Sequence, residues 1–257
     1  MPKIQLEEFQ MYYEQAGSGD PVVLIHGLGD GHEVWNHQTQ ALAEGGFEVF
    51  AVDLRGHGDS EKTDAKHTME RFAQDINAFM DSLGLPTAHI VGLSMGGFIA
   101  QILAVDFPER VRSLILIGTA CELKVRFIDK LQIRLAAVLP YKPFVKQYAK
   151  RPFWQQEKEW IEEFTARTLK CGKKDFIGSA KAIFPFRCCD RLGEITVPTL
   201  VMAGEHDEIE PVQYSEQIHG LIKGSTLKII KNSGHCVLVE QPERTNEELL
   251  SFLKSID

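Results

Sequence analysis

The residues best suited to covalent chemistry lie in the stretch His89–Phe98, which reads HIVGLSMGGF. An apolar, β-branched run ends there in the pattern G-x-S-x-G around Ser94, and apolar residues at helical spacing follow at once. A strand, a sharp turn and a helix in this order are the context of a nucleophile elbow. A serine in so tight a turn needs small neighbours, and the helix dipole behind it favours developing negative charge. We therefore predict Ser94 as a nucleophile; the alternative is a glycine–serine loop without chemistry.

A serine hydroxyl is a poor nucleophile at neutral pH, so it needs a base, and the base needs an acid that fixes its tautomer. Four polar residues, Glu205-His206-Asp207-Glu208, follow a predicted strand that ends in Gly204. Asp207 is the favoured acid because its place in the turn lets it point inward, with Glu205 and then Glu208 as alternatives. His235 follows the last predicted strand and is the candidate base; the alternative is a histidine on a surface loop.

Two backbone amides are candidate donors to an oxyanion. The apolar strand Val22–Ile25 runs into the sequence HGLGDG, whose small residues let the backbone approach the elbow. We predict the amides of Leu28 and Met95 as the two donors. The alternative is a flexible strand exit. His26 is interpreted as a structural, hydrogen-bonded histidine rather than as the base.

Strands and helices alternate from residue 22 to residue 118, which predicts a parallel sheet with helices on both faces. Ligands bind outside the carboxyl ends of the strands in such a sheet, where the three reactive stretches would meet. The predicted strands are 4–6, 9–15, 22–25, 47–54, the run before Gly92, 111–117, 197–204 and 226–230. The predicted helices are 34–44, 68–83, the segment after the elbow, 212–219 and 243–253.

The pattern changes between about residues 121 and 190, where strand signals vanish and aromatic residues interleave with basic ones. We predict three or four helices there, inserted as a cap over a core domain of residues 1–120 and 191–257. The cap (residues 121–190) would place part of its apolar underside over the substrate. Most of its aromatic residues would serve its own packing.

Composition and charge argue against several kinds of partner and location. The chain has 257 residues, 44% of them hydrophobic and 25% charged, with a formal net charge of −8. This balance disfavours nucleic acid or an anionic membrane surface as the main partner. We expect no signal peptide, because the amino terminus is charged and lacks an apolar core segment, and no membrane span, because no apolar run is long enough. Five cysteines without C-x-x-C spacing predict reduced thiols and a cytoplasmic protein.

Five motifs, spread in order over nearly the whole chain, together resemble the α/β-hydrolase family, in particular its capped carboxylesterase, lactonase and C–C hydrolase branch. They are His26-Gly27-Leu28-Gly29, Asp53-Leu54-Arg55-Gly56-His57-Gly58-Asp59-Ser60, Gly92-Leu93-Ser94-Met95-Gly96-Gly97, Gly204-Glu205-His206-Asp207 and Gly234-His235. The resemblance implies an α/β-hydrolase fold with a mostly parallel, eight-stranded sheet and an inserted cap. It also implies Ser94 as nucleophile, Asp207 as acid, His235 as base and the amides of Leu28 and Met95 as oxyanion donors, with no metal and no organic cofactor.

The expected reaction is hydrolysis of carboxylic esters of small to medium apolar substrates through an acyl-enzyme. Lactone hydrolysis, C–C bond hydrolysis and perhydrolysis use the same triad and remain alternatives. The related dehalogenases and epoxide hydrolases carry an aspartate at the elbow, so Ser94 disfavours them. A second class of function is a non-catalytic, ligand-binding or signalling member of the same fold. The oligomeric state is not predicted.

Overall fold

One eight-stranded sheet forms the centre of the computed structural model, which describes residues 2–124 and 127–256. Its strands are β1 (Lys3–Gln5), β2 (Gln10–Gly17), β3 (Asp20–Ile25), β4 (Phe47–Val52), β5 (Ala88–Leu93), β6 (Val111–Ile117), β7 (Thr199–Gly204) and β8 (Thr226–Ile230). The spatial order is β1-β2-β4-β3-β5-β6-β7-β8. The pairs β1–β2 and β2–β4 are antiparallel and the other pairs are parallel. The predicted fold class, a mostly parallel sheet, is confirmed.

Ten α-helices lie in the described part of the chain. They are α1 (Asn36–Glu44), α2 (Met69–Ser82), α3 (Met95–Asp106), α4 (Phe127–Val138), α5 (Tyr141–Tyr148), α6 (Lys158–Cys171), α7 (Lys173–Ile183), α8 (Val212–Leu221), α9 (Val237–Glu240) and α10 (Pro242–Leu253). The predicted helix 34–44 is divided, because a 3₁₀ turn over His32–Trp35 precedes α1. Helix α9 was not predicted, since four residues are too few to show a helical period. None of these helices combines the length and apolar character that crossing a membrane requires.

The sheet is buried on both faces, so its central strands are apolar at every position. In β3, Val23 and Ile25 pack into the apolar cluster that contains α2 and α3. Val22 and Leu24 pack into the opposite cluster, which contains α1 and α10. This alternation explains why continuous apolar runs, rather than alternating ones, predicted the central strands correctly.

Four helices, α4 to α7, lie between β6 and β7, and we call residues 121–190 the helical insertion. Polar side chains join it to the loops at the carboxyl edge of the sheet. The guanidinium of Arg167 on α6 donates to the carboxylate of Asp30, and both side chains are at most 10% exposed. Lys170 on the same helix donates to Asp59 at 2.7 Å.

A disulfide joins the two ends of the helical insertion, between Cys121 and Cys189. The prediction that all five cysteines are reduced is wrong for this pair. The two residues are 68 positions apart in sequence, and they meet because the amide of Cys188 donates to the carbonyl of Cys121 at 2.8 Å. Cys171, Cys188 and Cys236 are free and buried. A cytoplasmic location, which was inferred partly from reduced thiols, stays a prediction.

Candidate active site

Ser94 lies in the turn between β5 and α3 with a left-handed backbone conformation, φ 52° and ψ −115°. A non-glycine residue with positive φ is uncommon and persists where the surrounding structure holds it. Gly96 contributes to this constraint: a Cβ atom there would lie 2.1 Å from the carbonyl oxygen of Ile25. A Cβ atom at Gly92 would lie 2.3 Å from the carbonyl oxygen of Gly96. The glycines of the G-x-S-x-G pattern therefore allow the turn to pack against its neighbours.

Asp207 and His235 lie in the loops after β7 and β8 and are joined by a hydrogen bond. The Nδ1 atom of His235 is 2.8 Å from Oδ2 of Asp207, and both residues are buried. The other carboxylate oxygen, Oδ1, accepts hydrogen bonds from the amides of Ile209 at 2.8 Å and of Glu210 at 2.9 Å. The carboxylate that these two amides hold in place accepts a hydrogen bond from Nδ1 of His235, which leaves the Nε2 atom free to act as a base.

Glu205 and Glu208, the alternative acids, are exposed. The carboxylate of Glu205 accepts the amide of Asn232 at 3.3 Å, on the surface of the protein. Of the three acids considered from the sequence, the structure therefore brings only Asp207 to His235.

Ser94 and His235 border one cavity of about 640 Å³. Among the described residues, the side-chain hydrogen bond of His235 is the one to Asp207, and none joins it to the hydroxyl of Ser94. Catalytic hydrogen bonds are often long in the absence of substrate and tighten in the complex.

The loop after β3 approaches the elbow closely. A Cβ atom at Gly27 would lie 3.3 Å from Cβ of Ser94 and 3.8 Å from its Oγ atom. Leu28, next in the chain, lines the same cavity. In the part of the chain that the structure describes, neither the Leu28 amide nor the Met95 amide donates to a turn or loop carbonyl. Both amides therefore remain the predicted hydrogen-bond donors to an oxyanion that forms beside Ser94.

Glu210 is a residue that the sequence analysis missed. Its carboxylate is buried, borders the cavity, and has Oε2 at 3.2 Å from Nδ1 of His235. The two bonds from the amides of residues 209 and 210 to Asp207 fold this turn back on itself. The available signal was an acid three residues after Asp207, since this spacing brings a side chain back to the same side of a turn.

The two carboxylates change the proton affinity of His235. Burial opposes protonation of the imidazole, but the charges of Asp207 and Glu210 outweigh it and raise its pKa to about 9. For Glu210, burial disfavours the charged form and, with the nearby charge of Asp207, raises the pKa to about 7. The two carboxylates therefore favour the protonated imidazole and move the pH at which His235 becomes a base upward.

Two other buried histidines near the site are structural. The Nδ1 atom of His26 donates to the Gly27 carbonyl at 2.8 Å, because Nε2 accepts the Leu54 amide at 3.0 Å. This agrees with the structural role predicted for it. His57 has Nδ1 at 3.1 Å from the Arg55 carbonyl, and burial together with the nearby His26 lowers its pKa to about 3.

Two groups of side chains in the described ranges have donor atoms close enough for a metal ion. In the first, His32, Glu33 and Asp59, the ammonium of Lys170 already contacts both carboxylates. The second is the group of Asp207, Glu210 and His235, in which the Nδ1 proton of the imidazole already serves a carboxylate. Both groups are explained without a metal.

The helical insertion supplies much of the apolar wall of the cavity. Its larger apolar lining side chains are Leu123, Ile133, Tyr148, Phe164, Ile183 and Phe184. The core contributes Leu28 and Ile209 from loops, Leu93 from the end of β5 and Tyr214 from α8. The reacting groups thus come from the sheet, and an apolar chamber closes over them.

Comparison with known proteins agrees with this geometry. The family model described as alpha/beta hydrolase fold matches residues 20–169 and 139–242. The chain belongs to the α/β-hydrolase family. It is a hydrolase of that family, which implies a small-molecule substrate, and the resemblance inferred from the five motifs is confirmed at this level.

Relatives of several activities match over nearly the full length. A non-heme haloperoxidase of Rhodococcus erythropolis is 30% identical over 264 residues, covering 96% of this chain and 96% of that protein. The 3-oxoadipate enol-lactonase 2 of Acinetobacter baylyi is 26% identical over 254 residues, covering 96% and 94%. The solved structure of an esterase from Exiguobacterium antarcticum superposes with a TM-score of 0.90 at 28% identity, with 96% of each chain covered. These relatives are named for different reactions, so the comparison identifies the family and not the substrate.

Proposed function

We propose that the protein hydrolyses carboxylic esters of small to medium apolar substrates, with Ser94 as nucleophile, His235 as base and Asp207 as acid. The observation that carries the proposal is the 2.8 Å bond between Asp207 and His235 beside the cavity that Ser94 borders. The positive φ of Ser94 at the amino end of α3 supports it, because this is the geometry of a nucleophile elbow.

The reaction follows from these positions. The Oγ atom of Ser94 attacks the ester carbonyl carbon while Nε2 of His235 takes its proton, and Asp207 stabilises the imidazolium that forms. The amides of Leu28 and Met95 donate to the oxyanion. The intermediate collapses, the alcohol leaves with the proton from His235, and water repeats the cycle on the acyl-enzyme.

The substrate class rests on the cavity. Its walls are mainly aliphatic and aromatic, with charged side chains such as Arg151 at its border, and its volume of about 640 Å³ falls in the range of small-molecule sites. We propose that residues 121–190 act as a cap, because the apolar side chains that close the chamber come from α4, α5, α6, α7 and the segments beside them. An apolar acyl or alcohol group would contact these walls, while the ester carbonyl lies at Ser94.

Lactone hydrolysis is the second candidate. It uses the same nucleophile, base and oxyanion donors, and a full-length relative is named as an enol-lactonase. C–C bond hydrolysis and perhydrolysis share the triad as well. A panel of aryl esters, alkyl esters, lactones and vinylogous diketones would rank these reactions by kcat/KM.

The test of the proposal is turnover of p-nitrophenyl esters by the wild type and by Ser94→Ala. We expect at least a 10³-fold loss of kcat in the variant with an unchanged thermal melting curve. Ser82→Ala is the matched control, since its hydroxyl lies on the surface of α2 and donates to the Ala78 carbonyl of the same helix. Undiminished turnover in Ser94→Ala would overturn the proposal. A wild type without turnover of any ester, purified with a stable protein partner, would favour the signalling alternative.

A further inference from the structure

We propose that Glu210 is a second acid of the active centre, which shares the charge of the His235 imidazolium with Asp207 and sets the pH at which His235 becomes a base. The inference rests on the proposed function and adds a positioning residue to it. Glu210 would act on the reaction through His235.

The geometry places two carboxylates on one imidazole nitrogen. Nδ1 of His235 lies 2.8 Å from Asp207 and 3.2 Å from Oε2 of Glu210. The Asp207 oxygen accepts the hydrogen bond from Nδ1 of His235. The Oε2 atom of Glu210 is buried and makes no hydrogen bond within the described residues. A buried carboxylate oxygen is costly without a partner, so its position beside a proton-bearing imidazole is the feature to be explained.

The other charged groups near the pair come from several elements. Arg151 of the helical insertion borders the cavity, and its positive charge lowers the pKa of both Glu210 and His235. Titratable groups that border the same cavity are Lys124, Tyr148, Glu208, Tyr214 and Cys236. Asp30 also borders it, but its charge is paired with Arg167. Asp207 and Glu210 are the two charges that raise the pKa of His235.

The sign of the effect follows from the charges. A neutral His235 accepts the Ser94 proton, and an imidazolium does not. A negative Glu210 stabilises the imidazolium, so it holds the proton on His235 to higher pH. The same charge stabilises the imidazolium that forms in the transition state. Glu210 therefore lowers the activity at acidic pH, where it keeps His235 protonated, and raises the rate at alkaline pH, where the free enzyme has a neutral His235.

The experiment measures the rate at which a fluorophosphonate labels Ser94 as a function of pH, in the wild type and in Glu210→Gln. This probe requires no knowledge of the natural substrate. We expect the acidic limb of the profile to move to lower pH by about one unit in the variant, and the alkaline plateau to fall by up to about tenfold. A merely structural role would lower the rate at every pH and leave the limb in place.

Glu205→Gln is the matched control, because it removes an exposed carboxylate from the same loop. We expect its limb to superimpose on that of the wild type. If Ser94 is labelled and the acidic limbs of the wild type and of Glu210→Gln superimpose, the role of Glu210 is overturned and the proposed function stands. A wild type that is not labelled at Ser94 at any pH would overturn both.

A measurement on the wild type decides the case if Glu210→Gln fails to fold. In a ¹³C titration we expect the Glu210 carboxyl to change near pH 7 and to respond again when His235 titrates. A single step near the ordinary glutamate value, without a response to His235, would overturn the inference.

Discussion

The sheet core and the helical insertion contribute to the cavity by different means. The core presents Ser94, Asp207 and His235 from turns in which backbone atoms fix the geometry, such as the two amides bonded to Asp207. The insertion presents apolar side chains from helices, and its links to the core include side-chain contacts such as that of Arg167 with Asp30. A backbone-defined site tolerates little change, whereas an apolar wall tolerates substitutions of similar volume. We therefore expect the core to determine the chemistry and the insertion to determine the substrate.

The largest effect is expected in the core, for Asp207→Asn. The amide removes the charge that stabilises the imidazolium and favours the wrong tautomer of His235, so kcat should fall by about 10⁴-fold. The thermal melting curve reports folding, and Glu205→Asn on the exposed side of the same loop is the control. A loss below tenfold would show that Asp207 is not the acid.

The closure of the insertion, whose two ends the disulfide joins, is tested by the double variant Cys121→Ser/Cys189→Ser. Opening a loop of 68 residues should lower the free energy of unfolding by about 4 kcal/mol, because the unfolded chain gains freedom. Urea titration measures it, and a reductant should destabilise the wild type while leaving the double variant unchanged. Five free thiols in the unreduced wild type would contradict the disulfide.

The constraint on the elbow is tested by Gly96→Ala. The added Cβ atom would collide with the Ile25 carbonyl in the neighbouring strand, which cannot move freely. We expect a loss of about 3 kcal/mol in the free energy of unfolding and a parallel loss of turnover. Gly220→Ala is the control, since it lies in α8 with open space around it, and its stability should be unchanged or higher. Equal stability of the two variants would refute the packing argument.

The smallest effect is expected in the insertion, for Phe184→Leu. This side chain lines the cavity and is only partly buried, so the substitution should change KM for bulky esters by roughly tenfold or less. The kcat for p-nitrophenyl acetate should stay within about twofold, because the reacting groups are not moved. A 100-fold loss of kcat on the small ester would contradict the division of roles between core and insertion.

Local patterns in the sequence predicted the features that depend on neighbouring residues. The pattern around Ser94, and the placement of His235 after the last strand, required only a strand, a turn and the position of each side chain in it. The strands β6 and β8 were predicted with their observed bounds, because each is a mainly apolar segment between clear breaks.

Features that depend on distant or folded-back segments were not predicted. Cys121 and Cys189 meet only because both ends of the insertion return to the same point, which no spacing in the sequence indicates. Glu210 reaches His235 only because Asp207 binds two amides of its own turn and folds the chain back. The place of Asp207 in the turn favoured it over Glu205 from the sequence, and the resemblance to the family strengthened that choice.

The most direct test of the central claim is the site at which a fluorophosphonate attaches, located by mass spectrometry of the digested protein, in the wild type and in His235→Asn. The account predicts attachment at Ser94 in the wild type and a labelling rate at least about 10³-fold lower in His235→Asn, because the serine then lacks its base. Attachment at another residue, or an equal rate in the two proteins, would contradict it.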